Sequence, residues 1–448
     1  MKKHTQKMFF NFRLFDGVMD NIQDGKIILT ETDKIMAIDE EAHKDKYRDC
    51  ESIDLNGFTV LPGLIDAHIH ITVPFVFKAN LKALLQMRQQ LALNFRNCVK
   101  YGVTTIRDLG AFPKKIQNWR RRIDAGEAIG PRILTANSFI TSRNGVPEMA
   151  PTLNFIEALM AGGQFVERVD TPGEVNEVSN RLIDWGADWL KTQYSVQSFL
   201  FHGKLINLSD ACFMALMKVS RQRGVKVAMH HTESTGFNKG MAVGVDTMEH
   251  CSADKLEQAE IDLFVKKGMA IVPTLKVFSD YSDTVEILEW LNAKGKKDFM
   301  PEPFRQTVDG VELLLKKPYP PADYRDKYYP DIEFFRKAYP VALKNVEQIR
   351  KAGGRIGVGT DTCGTGLSFF GFFWKELKCL VEAGFSNLEV LKAATSGNAE
   401  IIGVSDYVGT IEPGKYADFL VIKGNPLENI ECIKDPETVI KGGEVIVE

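Results

Sequence analysis

The apolar positions of this chain repeat with two periods. Short runs that alternate, or that are apolar throughout, read as strands. Longer runs with apolar residues at i, i+3 and i+4 read as helices. LPGLIDAHIHI at 61–71 is the first compact run, and VTTIRDL (103–109) and PRILTANSF (131–139) follow. Thr171 and Pro172 then open a stretch with Val175, Val178, Leu182 and Trp185 on one helical face, closed by Gly186. ADWLKTQ (187–193) predicts the next strand, and SDACFMALMKVSRQRG (209–224) a helix with Ser209 as N-cap and Gly224 as stop. VKVAMHH (225–231), VDTMEH (245–250), MAIVPTL (269–275) and GRIGVGTD (354–361) bring the strands to eight, nearly all separated by helical signals. Alternating strands and helices predict an α/β fold with a parallel sheet. Eight units predict a closed (β/α)8 TIM-like barrel over 62–404.

Two regions break this pattern. The first 61 residues hold short alternating strands and turns (FRLFDG, GKIILT, KIMAID), and 405–448 is similar (GTIEPGKYADFLVIKG, ETVIKGGEVIVE). Each end alone has too few strands to be stable, so the two are expected to pair into one small β-sandwich domain. The other break, at about 276–340, is rich in aromatics, prolines and charges (KKPYPPADYRDKYYPDIEFFRKAYP). A connection of that length is read as an insertion over one end of the barrel, with an excursion along its outside as the alternative.

The 448 residues suit one large barrel with an accessory domain. A formal net charge of -3 gives no basic surface for nucleic acid. No apolar run approaches a membrane span, and the apolar burst near the N-terminus is too short for a signal-peptide core. Seven scattered cysteines without a C-x-x-C pair fit reduced thiols. The expected location is the cytoplasm, and the expected partner a small-molecule substrate.

Candidate chemistry lies at the strand ends. His68 and His70 end the first strand and, by the period of two, point to one side. Lys191 ends strand 4, His230 and His231 strand 5, His250 strand 6 and Asp361 strand 8. Five of the eight histidines thus fall at the barrel's C-terminal face, where sites of this fold are built. Imidazoles with a carboxylate suit a divalent ion such as zinc. Lys191 cannot ligate a cation as an ammonium. Desolvated beside metal it would lose its proton and could react with CO2 to give a carbamate that bridges two ions; otherwise it is a buried salt bridge or a substrate-binding charge. Cys251 and Cys363, beside His250 and Asp361, are expected to pack behind the site. Asp66, one pleat step before the histidine pair, is expected to be structural.

The segments LPGLIDAHIHI, GVTTIRDLG, DWLK, VAMH, GVDTMEH and GVGTD, with the tail ATSGNAEIIGVSDYVGTIEPGKYADFLVIKGNPL, together resemble the amidohydrolase superfamily. The likeness covers nearly the whole chain apart from the insertion and is greatest to its imidazolonepropionase-like and prolidase-like branch. It implies two Zn2+ ions, or another divalent metal, per chain. His68 and His70 would hold the more buried metal, His230 and His250 the more exposed one, and Lys191, as N6-carboxylysine, would bridge both. Asp361 would ligate and act as the catalytic base. It also implies a homo-oligomer and hydrolysis of an amide or peptide-like C–N bond by a metal-bridging hydroxide, for example in an N-acyl amino acid or dipeptide.

The chain departs from the branch at two places that meet substrate there. TSRNGVP (141–147) replaces Gly-Gly-His, and Thr232 stands where a histidine or tyrosine is usual. Arg143, Tyr194 and His231 are the candidate substrate contacts, and His202 is read as a solvated loop residue. Three rival readings stay open: a cyclic-amide, imidazolone or lactone hydrolase on the same centre; a mononuclear ring deaminase with Glu233 as shuttle, against which Lys191 argues; and a non-catalytic binding protein.

Overall fold

The computed structural model describes residues 6–72, 81–146, 162–196, 204–282, 285–300, 332–363 and 369–446. The N-terminal strands are β1 (Gln6–Leu14), β2 (Lys26–Glu31), β3 (Lys34–Glu40) and β4 (Glu51–Pro62). Barrel strands β5 (Leu64–His70), β6 (Val103–Asp108), β7 (Arg132–Thr135), β8 (Phe139–Thr141), β9 (Val166–Arg168) and β10 (Trp189–Gln193) come next. They continue as β11 (Lys226–His230), β12 (Thr247–Glu249), β13 (Ala270–Val272), β14 (Arg355–Ile356) and β15 (Thr362–Cys363). The chain closes with β16 (Phe419–Ile422), β17 (Thr438–Lys441) and β18 (Glu444–Val445).

All eight expected barrel strands are present. The third is split into β7 and β8 around Asn137, which has a positive φ of 56°. The strands pair in parallel, and the circuit closes at two joins. Asp188 N–H donates to Thr135 O (2.8 Å) between β10 and β7, and Ala67 N–H donates to Val358 O (2.9 Å) just past β14. Small side chains fill the lumen: Ala67, Ala228 and Ala270 pack there with Ile65, Leu109, Leu134, Trp189 and Val272. The second join is stapled from behind by Asn398, at the start of helix Asn398–Ile402. Its Oδ1 accepts from Val358 N (2.9 Å), and its Nδ2 donates to Ile65 O (2.6 Å) and Val358 O (2.8 Å). Helices Pro172–Asp184 and Asp210–Arg223 form where their caps predict. Thr171 makes a capping box with Glu174, and Gly224 ends the second helix in the left-handed region.

Both chain ends join one seven-stranded mixed sheet in the order β18-β17-β16-β4-β1-β2-β3, with β4 paired to β1 on one side and β16 on the other. β4 runs directly into β5, so the accessory sheet leads straight to the first histidines. Of the expected insertion, helix Val285–Lys294 and the residues to 300 pack along the barrel's flank. Trp290 and Phe299 cluster with Tyr101, Phe372 and Trp374, and Gln90 Nε2 donates to Phe299 O at 3.0 Å. Residues 301–331 lie outside the described residues, and helix Ile332–Lys351 leads back to the barrel.

Candidate metal centre

Strand register decides which side chains enter the lumen. Ala228 lines it, and its register partner on β10 is Lys191. Two residues further along each strand, on the same side, Gln193 pairs with His230, and His230 in turn with Glu249 on β12. His250 follows Glu249 by one residue, so regular pleating would send it outward. Instead its φ is +71°, and its ring lies 4.5 Å from that of His230 and 4.8 Å from that of His68. Asp361 (φ +49°) and Thr274 (φ +47°) share this left-handed geometry. Non-glycine residues held there cost of order 1–3 kcal/mol each, and such strain clusters at functional sites.

One ligand atom each from His68, His70 and Asp361 lies within 4.8 Å of the others. Asp361 Oδ1 is 3.2 Å from His70 Nε2 and 3.5 Å from His68 Nε2. In each of three rings the other nitrogen meets the protein. His70 Nδ1 donates to Gly110 O at 3.0 Å, and His250 Nδ1 is 2.8 Å from Thr274 Oγ1. His68 Nδ1 is 2.8 Å from Glu249 Oε2. A β-carbon on Gly110 would come within 2.9 Å of His70 Nδ1, so glycine is needed for that close approach. Asp66 is structural, as its position suggests. Its Oδ1 accepts from His68 N (3.2 Å) and Thr360 N (3.0 Å) and its Oδ2 from Thr360 Oγ1 (2.6 Å), tying the histidine strand to the residue before Asp361.

Burial sets the charge states. It drives the pKa of His68, His230 and His250 well below the usual imidazole range, which leaves neutral rings with lone pairs. Burial also opposes charge on His70, but the hydrogen bond and charge of Asp361 outweigh it and raise its pKa. Lys191 is fully buried, its Nζ has no hydrogen-bond partner among the described residues, and burial lowers its pKa to about 8 against the pull of Glu249 and Asp361. A buried cation without a partner is costly. Imidazoles and a carboxylate brought together around one lumen fit a divalent-metal centre.

The other sequence candidates lie elsewhere. Arg143 is 67% exposed at its side chain and pairs with Asp170 at 2.6 Å. Tyr194 packs on Phe213 of the surrounding helices, with ring centroids 6.3 Å apart. His231 points away from the lumen, as parity requires: its Nδ1 bonds Glu249 O (3.0 Å), its ring meets Phe237, and burial lowers its pKa to about 4. Thr232 Oγ1 is 2.8 Å from Ser195 Oγ, and Glu233 accepts from Val196 N at 3.0 Å. Cys251 is buried with its thiol 3.6 Å from Ala342 O, behind the site. Cys363 sits on β15 and pairs in register with His70. His202 lies outside the described residues. Sequence reading passed over Glu249 and Arg107, although the strand period in TMEH and VTTIRD was the available signal.

A family model described as the Amidohydrolase family matches residues 59–446. The chain is 24% identical over 415 residues to ochratoxinase of Aspergillus niger, a match covering 86% of this chain and 75% of that protein. A 75-residue stretch is 39% identical to imidazolonepropionase of Geobacillus kaustophilus, covering 16% of this chain and 18% of that protein. Among solved structures, a Xaa-Pro dipeptidase with bound methionine in the active site matches with a TM-score of 0.75 at 24% identity, over 98% of this chain and 99% of that one.

Proposed function

This chain belongs to the amidohydrolase family and is a hydrolase of carbon–nitrogen bonds; on that premise we propose that it cleaves an amide or peptide-like bond in a small substrate, an N-acyl amino acid or dipeptide. Its centre would hold two Zn2+ ions through His68, His70, Lys191 as N6-carboxylysine, His230, His250 and Asp361. The observation that carries this reading is Lys191. An ammonium wholly buried with no hydrogen bond among the described residues is a poor resting state, whereas a carbamate at the same nitrogen would offer two oxygens to the histidine cluster. We also propose that the accessory sheet folds as a small sandwich beside the barrel, and that the chain is a cytoplasmic homo-oligomer. The absence of a disulfide among its cysteines supports that location, and no helix among the described residues is long and apolar enough to cross a membrane.

Bound metal supplies an acidified water near neutral pH and a Lewis acid for the scissile carbonyl. The chain's own part is to hold and move the proton. Asp361 is fixed by its backbone bond to His68 O (2.8 Å) and lies beside His70 Nε2. In that place it can take the proton of the attacking water and pass it to the departing nitrogen. The three anchored rings keep their orientation as charge develops. Arg143 is the proposed contact for a substrate carboxylate, which would exchange with Asp170 in a bidentate pair. Tyr194 and His231, packed outward, would act on the substrate only by supporting the loops that carry it.

The test is metal analysis of protein purified with bicarbonate, followed by turnover assays on N-acyl amino acids, dipeptides and cyclic amides. Two ions per chain and cleavage of a linear amide are expected. One ion per chain would favour the mononuclear deaminase, and turnover of cyclic substrates alone would replace the linear reading.

A further inference from the structure

Beneath the histidines lies a charged pair that the proposed reaction does not use. Arg107 on β6 and Glu249 on β12 are both 0% exposed at their side chains, and Arg107 Nη2 meets Glu249 Oε1 at 2.8 Å across the lumen. Arg107 is further fixed on three sides. Its Nε donates to Ala67 O (2.6 Å), its Nη1 to Thr247 Oγ1 (3.2 Å), and its guanidinium lies 4.3 Å from the ring centroid of Trp189. Among the described residues the second carboxylate oxygen, Glu249 Oε2, has no hydrogen bond; it faces His68 Nδ1 at 2.8 Å, where the ring nitrogen is also without one. Buried ion pairs are seldom worth their desolvation as struts alone. Here the pair ends on a histidine, and the free edge of that histidine faces Asp361.

We propose that Arg107 and Glu249 are a positioning pair for His68: Arg107 fixes the Glu249 carboxylate, which takes the Nδ1–H of His68 and holds Nε2 aimed at the metal. The inference rests on the metal-centre reading above. It distinguishes His68 from the other anchored rings. His70 leans on a neutral carbonyl and His250 on a hydroxyl, whereas His68 leans on a full carboxylate, which makes its Nε2 the strongest donor of the three.

The experiment measures zinc affinity by competition with a chromophoric chelator, and thermal stability of the metal-free protein, for wild type, Glu249→Gln and the double variant Arg107→Met with Glu249→Gln. Glu249→Gln leaves Arg107 buried and unpaired, so a loss of folding there says little by itself. The double variant removes both charges of the pair together, so neither is left buried without the other. Zinc affinity about 10–100-fold weaker in the folded double variant, with metal-free stability near wild type, is the expected result. A purely structural pair would give the reverse: lower stability in the variants and wild-type zinc affinity once folded, and that outcome overturns the inference. A wild type that binds no zinc would instead sink the metal-centre reading, so the two failures are distinct.

Discussion

Asp361 shows the site's chemistry in one residue. Its left-handed backbone is tolerated because Asp66 and Thr360 fix the turn before it, and the result is a carboxylate shared by two imidazoles. Asp361→Asn keeps the shape and removes the base. Such a variant should retain most of its metal and lose turnover by on the order of 10²-fold or more; steady-state assays with near-normal kcat would show that the proton travels elsewhere. Lys191 gives a second test, on metal-free protein. Its folded pKa of about 8 lies below the ordinary 10.5, so burial of its charge destabilises the fold fully below pH 8. That penalty fades between pH 8 and 10.5, where only the unfolded chain keeps the proton, and is gone above. Denaturation of wild type should therefore gain on Lys191→Met by up to roughly 3 kcal/mol across that window, and a difference flat with pH would refute the assignment. The sequence showed the ligand types and strand ends. The period of TMEH pointed to Glu249, but strict pleating places either Glu249 or His250 inside, and only the positive φ of His250, which sequence does not show, admits both.

At the scale of elements, the site depends on the join between the first and last barrel strands, because His68, His70 and Asp361 straddle it. Asn398 satisfies backbone groups of both strands there, and it does so from the tail segment that carried much of the family likeness. Asn398→Ala removes the side-chain partner of the Val358 amide and of the Ile65 carbonyl, while Val358 O keeps its bond from Ala67 N–H. It should cost roughly 3 kcal/mol by chemical denaturation and lower activity by loosening Asp361 against His70; a loss under about 0.5 kcal/mol would mean that water replaces the amide. The strands and the capped helices were legible because alternation, Ser/Thr caps and stop glycines are local signals. The pairing of β4 with β16 was less so: apolar patterning marks a strand but carries no address for a partner more than 350 positions away. The packing of Trp290 and Phe299 was equally hidden, since their aromatic cluster draws Tyr101, Trp290 and Phe372 from three distant segments.

Across the whole molecule, the proposed ligands come from strands on every side of the lumen: β5, β10, β11, the end of β12 and the turn past β14. Without metal, these walls bring together imidazoles, a carboxylate and a buried lysine, with the contact of His70 and Asp361 at 3.2 Å the main tie between them. With metal, the same groups become cross-links between strands distant in sequence. Metal that binds only the folded state adds RT ln(1 + [M]/Kd), about 2.7 kcal/mol at a hundredfold excess over Kd. In a chain of this size that raises the unfolding midpoint by roughly 3 °C. Calorimetry of chelator-treated protein should show this fall and its reversal by added Zn2+. The His68→Ala variant, which lacks one proposed ligand, should recover little of it. A midpoint indifferent to chelator in wild type would mean that these histidines meet for packing and not for a metal.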